Sequence, residues 1–256
     1  MAYIPLDIEA LQSALATAPV GHRILYMREV TSTMDVARQE ALLRGAEEGL
    51  VVVAEEQTAG RGRFGRAWVS TPGQNLYFSV VLYPSPWACA RLSVAASVAV
   101  VRAIRRVTGL EPSLKWPNDV RLGDKKVSGI LVETAVQDGQ VRHAIVGIGI
   151  NVNADPSERL AEGYQATCLA RELGLPVSRD VVLEAVLLEL AGSASLVPRL
   201  RRKVRAYVHP LVASTADAAN GGLQALAQRY SRLPERYLPD LEHAARALRD
   251  GRWGLR

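Results

Sequence analysis

Residues 49–68, GLVVVAEEQTAGRGRFGRAW, constrain the fold of this chain more than any other stretch. The apolar run through Val51, Val52 and Val53 reads as a buried strand. It passes without a break into Gly60-x-Gly62-x-x-Gly65, the spacing of a dinucleotide-binding turn. That turn needs a helix starting inside the glycines and an acidic residue about twenty positions further on. Here Pro72 and Gly73 stand where the helix would run, and no Asp or Glu occurs between Glu56 and Glu111. The dinucleotide reading fails. A kinase glycine loop needs a catalytic-loop Asp and Asp-Phe-Gly, and a P-loop needs Gly-Lys-Ser/Thr; the chain has neither set. A lone motif of this spacing is otherwise turn chemistry. Its charge sets this one apart. Arg61, Arg63 and Arg66 alternate with glycines, offering guanidinium forks and bare N–H groups to a carboxylate or phosphate. As a nucleic-acid patch the stretch is too compact, with only Phe64 and Trp68 to stack on bases. A small anionic ligand fits it better.

Around this stretch, helices and strands mix without regular βαβ alternation, which predicts an α+β fold with a mixed sheet packed by helices. The pattern predicts helices over 6–18, 32–44, 89–109 (the longest), 166–174 and 177–192. Strands are expected over 23–30, 49–56, 75–83 and 113–116. A hairpin over 120–133 should turn at Gly123-Asp124, and a glycine-bearing strand is expected over 141–153.

At 256 residues the chain has room for one large domain or a domain with an appendage. It has no apolar run long enough to span a membrane and no secretory leader, and its two cysteines, Cys89 and Cys168, form no C-x-x-C pair. A cytoplasmic protein is expected. Its four histidines stand at no metal-ligand spacing, so no protein-held metal is expected. The basic excess is confined to the end. From Arg199 on, twelve Lys and Arg face five Asp and Glu, a net of +7. The whole chain carries +5, which leaves −2 for residues 1–198. The charge therefore says little about the chemistry of the rest.

A second polar constellation follows in LKWPNDV and DKKVSGILVE, where Lys115, Asn118 and Asp119 crowd a Trp-Pro corner and Lys126 precedes Val127-Ser128-Gly129. Asn-Asp after Pro is also a good turn signal, and the two readings of that pair weigh equally. The ordered set TST (31–33), EQTAGRGRFGRAW, KWPND, KKVSGILVE and GIGINVN is more specific than its parts. Together these motifs closely resemble the biotin protein ligase family, the biotin–[acetyl-CoA-carboxylase] ligases, over roughly residues 22–191.

The resemblance implies a class II synthetase-like catalytic domain and a two-step reaction. Biotin and ATP would form biotinyl-5′-AMP, and the acyl group would pass to a lysine of a biotin carboxyl carrier protein, with Mg²⁺ accompanying ATP. It implies catalytic roles for Arg63, Lys126, Asp119 and Lys115. Biotin would be bound by Ser32, Thr33, Gln57, Gly60, Arg61, Lys126 and Gly129, beside an apolar face of Gly129, Ile130 and Leu131. The nucleotide would meet Arg61, Arg63, Arg66, Trp68, Asn118 and Asn151. Asp119 would act through Mg²⁺ or orient the lysine amine; both roles stay open. Trp68 as core, Asn151 as a strand-end turn residue and Ser32-Thr33 as a helix cap are the plainer alternatives. A cap also favours polar ligands at a helix N-terminus, so for Ser32-Thr33 both readings can hold.

The sequence departs from the family pattern in places. About twenty residues precede the first motif, too few for the winged helix-turn-helix of repressor members, so no DNA binding is expected there. A homodimer is compatible with the resemblance. Met34 and Phe64 replace the Asn and the second basic residue common at those positions. Residues 1–191 read as the catalytic domain and 192–256 as an atypical basic segment in place of the family's small SH3-like barrel. A helical replacement, a disordered extension and out-of-frame translation of a barrel all remain open for that segment.

Overall fold

A computed structural model describes residues 5–43, 45–157 and 165–192 of the chain. The atypical segment expected from 192 onward thus lies, beyond Gly192, outside the described residues. Seven strands form one mixed sheet: β1 (Ile24–Val30), β2 (Val51–Gln57), β3 (Leu76–Leu82), β4 (Ser113–Lys115), β5 (Asp119–Leu122), β6 (Lys125–Gln137) and β7 (Gln140–Ile150). Their order is β1-β2-β3-β7-β6-β5-β4. Only β1 and β2 pair in parallel, and the α-helix that joins them, α2 (Thr33–Leu43), supplies the crossover such a pair requires. Every other neighbouring pair is antiparallel. The α+β reading of the sequence and the architecture agree.

Period-two patterning sorts the strands' side chains onto two faces. One face carries Val51, Val53, Phe78, Val80, Val146 and Ile148, and belongs to the main core. Helices α1 (Ile8–Ala14), α4 (Leu92–Thr108), α5 (Leu169–Leu173) and a helix over residues 179–192, α6, contribute Leu11, Ala96, Val100, Ile104, Leu169, Leu183 and Leu187 to that core. The other face carries Val52, Val81 and Ile145 under Met34 and Ala37 of α2, a smaller core that leaves much of this side open for a site.

Two expected elements differ from what is observed, each for a local reason. The predicted helix 89–109 is two helices, α3 (Pro86–Cys89) and α4. Pro86 opens the first behind a Ser85 cap, and Gly109, at φ 70°, ends the second in the left-handed region. The strand expected to stop at 133 continues to Gln137, because Asp138-Gly139 makes a second hairpin turn, with φ of 53° and 72°. Positive φ at both central residues is what a two-residue type I′ hairpin demands, and Asp-Gly is its favoured pair.

Behind the sheet lies a buried polar hub that the sequence did not announce. Arg179 of α6 pairs with Glu55 of β2 at 2.5 and 3.2 Å, with side chains 5 % and 3 % exposed. Glu55 also accepts from Tyr26 Oη at 2.8 Å, and the Asn75 side chain takes the backbone N–H groups of Val152, Asn153 and Ala154. These bonds satisfy the chain where it leaves β7, as buried polar groups require.

Candidate functional site

The parallel pairing of β1 and β2 brings two motifs to one edge. Where the strands end, Thr58 and Ala59 donate to the carbonyls of Val30 and Thr31, so the Thr-Ser-Thr turn and the glycine stretch leave the sheet side by side. No helix begins in the glycines. Residues 60–68 close on themselves as a short hairpin loop instead: Trp68 N–H donates to Gly60 O at 2.9 Å and Gly62 N–H to Arg66 O at 2.7 Å. A 3₁₀ turn, Arg63–Gly65, forms its tip, with Phe64 at φ 59°. Gly60 is needed for closeness: a Cβ there would lie 2.8 Å from the Trp68 carbonyl oxygen.

The loop roofs a cavity on the open face of the sheet. One wall hydrogen-bonds. Ser32 and Thr33, 1 % and 2 % exposed, start α2, and Gln57 ends β2. Gln57 Oε1 accepts from Thr33 N at 2.9 Å and from Thr33 Oγ1 at 3.2 Å, while Thr33 Oγ1 and Ser79 Oγ lie 2.8 Å apart. The Gln57 amide is thereby oriented with Nε2 toward Gly60. The opposite wall is cationic. Arg63 Nη1 donates to Asn118 Oδ1 at 3.0 Å, and Asn118 Nδ2 donates to Ile130 O at 3.0 Å. Lys126 Nζ stands 2.7 Å from Asp119 Oδ1 and 5.3 Å from the centre of the Trp68 ring.

The floor is made of glycine. On β6 and β7, Gly129, Gly147 and Gly149 line the site, while Ile130 and Ile148 border it and belong with Val146 to the main core. A Cβ on Gly149 would fall 2.5 Å from the Trp68 indole, one on Gly129 2.8 Å from it, and one on Gly147 2.7 Å from Met34 Sδ. The indole and the thioether occupy the trough that three missing side chains leave. The cavity is consequently about 50 Å³, against roughly 300–1,000 Å³ for ordinary small-molecule pockets. Trp68 Nε1 is buried without a partner among the described residues, a donor held inside the site.

At the base of the loop, Arg61 forks onto Asp35 of α2, with both Nη–O distances 2.7 Å. This pairing holds the Asp35 carboxyl below its usual range and raises the Arg61 guanidinium. His143, on β7 near Arg38, is pushed down by burial and by that arginine.

The cavity thus brings together most of the residues singled out from the sequence, Ile130 and Leu131 included. Asp119 reaches it through Lys126. Four residues sit elsewhere. Gly60 lies under the Trp68 backbone, Arg66 is exposed on the loop's far limb, and Lys115 is exposed at the sheet edge, opposite Asp119 in the β4–β5 ladder. Asn151 is 2 % exposed, donates to Thr167 O at 3.0 Å, and holds a buried Oδ1 with no partner among the described residues. Sequence reasoning missed Asp35, Glu133 and Ser79; the glycines of β7 were expected to let another group come close, and Met34 and Trp68 are the groups that do. Nothing local marked Asp35, whose partner lies 26 residues away.

The family model of the biotin/lipoate A/B protein ligase family matches residues 26–151. The bifunctional ligase/repressor BirA of Bacillus subtilis is 37 % identical over 186 residues, covering 72 % of this chain and 57 % of the relative. The chain thus spans less than three fifths of that relative's length. Among solved structures, the Aquifex aeolicus biotin protein ligase in complex with biotin and ATP is 34 % identical, with 68 % of this chain and 71 % of that one covered and a TM-score of 0.56. The Leishmania major biotin protein ligase in complex with biotinyl-5-AMP is 30 % identical, with 71 % and 81 % covered and a TM-score of 0.57.

Proposed function

Because the chain belongs to the biotin/lipoate A/B protein ligase family, we propose that it joins biotin, through biotinyl-5′-AMP, to a lysine of a biotin carboxyl carrier protein such as that of acetyl-CoA carboxylase. One observation carries this reading: Arg61, Arg63 and Lys126 converge on a single cavity whose opposite wall is the hydrogen-bonding set Ser32, Thr33 and Gln57. The likeness to biotin protein ligases solved in complex with biotin and ATP and with biotinyl-5-AMP supports the choice of ligands.

In the first step a carboxylate oxygen of biotin attacks the α-phosphorus of ATP, and the bond to the departing pyrophosphate breaks. Two anions must meet, so fixed cations that cancel their repulsion and hold the in-line approach lower the barrier. Lys126 and Arg63 face the cavity for that task. Ser32, Thr33 and Gln57 present both donors and acceptors to the ureido ring. A plain acyl chain would leave them unpaired in a buried wall, which disfavours it. In the second step the neutral ε-amine of the carrier lysine attacks the acyl carbon, loses a proton and expels AMP. Asp119, beside Lys126, is the carboxylate placed to orient that amine.

Among the described residues no cluster of three His, Cys, Asp or Glu side chains is built to hold a metal. Mg²⁺ would come bound to the ATP phosphates and would neutralise phosphate charge; Asp119 is the carboxylate beside Lys126. Asn151 is the candidate for adenine recognition through its unpartnered oxygen, and Arg66 and Lys115 are outer cations for the phosphates or the carrier. These groups all lie within residues 1–191, the catalytic unit of this reading, and we place the reaction in the cytoplasm. Among the described residues no helix is long and apolar enough to cross a membrane. The test is transfer. The purified chain, ATP and Mg²⁺ are mixed with a carrier domain and biotin, lipoate or octanoate, and the carrier's mass is followed. A gain from biotin alone is expected; a gain only from lipoate or octanoate would overturn the assignment.

A further inference from the structure

Four charged side chains outside the proposed chemistry's reacting groups close into a ring at the base of the glycine loop. Arg61 Nη1 and Nη2 each donate to one oxygen of Asp35 at 2.7 Å. Arg38 Nη1 donates to Asp35 Oδ1 at 2.9 Å, Arg38 Nη2 donates to Glu133, and Glu133 Oε1 lies 3.9 Å from Arg61 Nη2. Charges alternate around the ring, two of each sign, and it ties three elements together: the loop, α2 and β6. Arg61 is also one limb of the bridge with Ala67 that closes the loop's own hairpin. Isolated exposed pairs contribute little, but fork-to-fork geometry and membership of a network are the recognised exceptions.

The ring also distinguishes the three cavity-lining cations. Both Nη groups of Arg61 are engaged by a carboxylate, whereas Arg63 gives an Nη to the neutral amide of Asn118 and Lys126 shares a single oxygen of Asp119. Arg61 is therefore a strut. We propose that Asp35 is the positioning residue that docks the glycine loop over the cavity, gripping Arg61 with Arg38 and Glu133 behind it, and that Arg63 and Lys126 are the cations left to an anionic ligand. The lowered Asp35 and raised Arg61 protonation equilibria have this same contact as their first cause. Asp35 also stands in the first turn of α2, where an acidic residue favours the helix whatever its partner. The test must separate docking from that local role.

Hydrogen exchange of the peptides covering 58–68, with no added ligand, gives the first readout. Asp35→Asn is expected to speed exchange in the loop about tenfold, the scale of losing a charge-assisted fork. Arg61→Gln should do the same, Asp35→Glu should recover part of the protection, and the double variant should be no worse than either single. Unchanged exchange in Asp35→Asn, or additive losses in the double variant, would overturn the proposal. Melting of each variant, followed by circular dichroism, guards against general unfolding.

The second readout rests on the ligase reading. Biotinyl adenylate should leave Asp35→Asn about tenfold faster than wild type while its single-turnover formation changes less than about twofold. An equal loss in both steps would contradict positioning. If wild type makes no adenylate from biotin, lipoate or octanoate, the ligase reading fails and loop exchange alone still decides the role of Asp35.

Discussion

Two arginine–carboxylate pairs lie on opposite faces of one sheet, and their surroundings make them different devices. Arg179–Glu55 is 5 % and 3 % exposed and is joined by Tyr26 and the Asn75 backbone; Arg61–Asp35 is 37 % and 28 % exposed and holds a loop. A buried charge left without its partner is costly, so the first pair commits α6 to the sheet and has no room to open. The second is partly hydrated in either state, so breaking it costs less than breaking the buried pair, and it holds the loop without locking it. Rigidity behind the sheet and release in front of it are thus encoded by the same two residue types.

The comparison is broken most severely by removing one member of the buried pair. Glu55→Ala should lower unfolding free energy by about 3–5 kcal/mol in denaturant titration, because Arg179 is left unpaired. A loss under about 1 kcal/mol would mean the hub is not integral to the core. Next in size is the cationic wall. Lys126→Ala should reduce adenylate formation about 10²–10³-fold with melting nearly unchanged; a chain that fails to fold would instead make Lys126 structural. Gly149→Ala tests the glycine floor. A methyl group cannot share the trough with Trp68, so the indole should shift, with about 1–3 kcal/mol of strain and a changed tryptophan emission. Unaltered emission would show that Trp68 is not held there.

The smallest effect is the dependence of the loop on pH. Asp35 has a native pKa below its ordinary 3.8, with the Arg61 hydrogen bond as the first cause. Its contribution is therefore complete above that ordinary value and is lost as pH falls through the lower native one. Loop exchange corrected for intrinsic rate should stay flat down to about pH 4 and rise only below it. Loss of protection near neutrality would point to a different group.

Local patterning made much of this legible before any coordinates. The apolar run before Gln57, the β-branched Leu76–Leu82 stretch and the alternation of β7 set strands that the sheet contains, and Gly109 and Asp138-Gly139 carried their own stop and turn signals. The expected strand stops short of the second because its apolar run breaks at Glu133, although the strand itself continues to Gln137. At the site, contiguous motifs were readable: Ser32-Thr33, Gln57 with the arginines, and Lys126 with Gly129. What stayed hidden depends on long-range pairing. Asp35 finds Arg61 only because the parallel β1–β2 pair and α2 fold back on one edge, and Arg179 finds Glu55 across 124 residues of chain. Such partners leave no trace in spacing.

The central claim is that the cationic wall converts biotin into its adenylate. It is met most directly by mixing the purified chain with α-labelled ATP, Mg²⁺ and biotin, beside Lys126→Ala. The label should move to biotinyl-AMP in the wild type and remain as ATP in the variant; label that stays as ATP in both, or moves equally in both, would contradict the account.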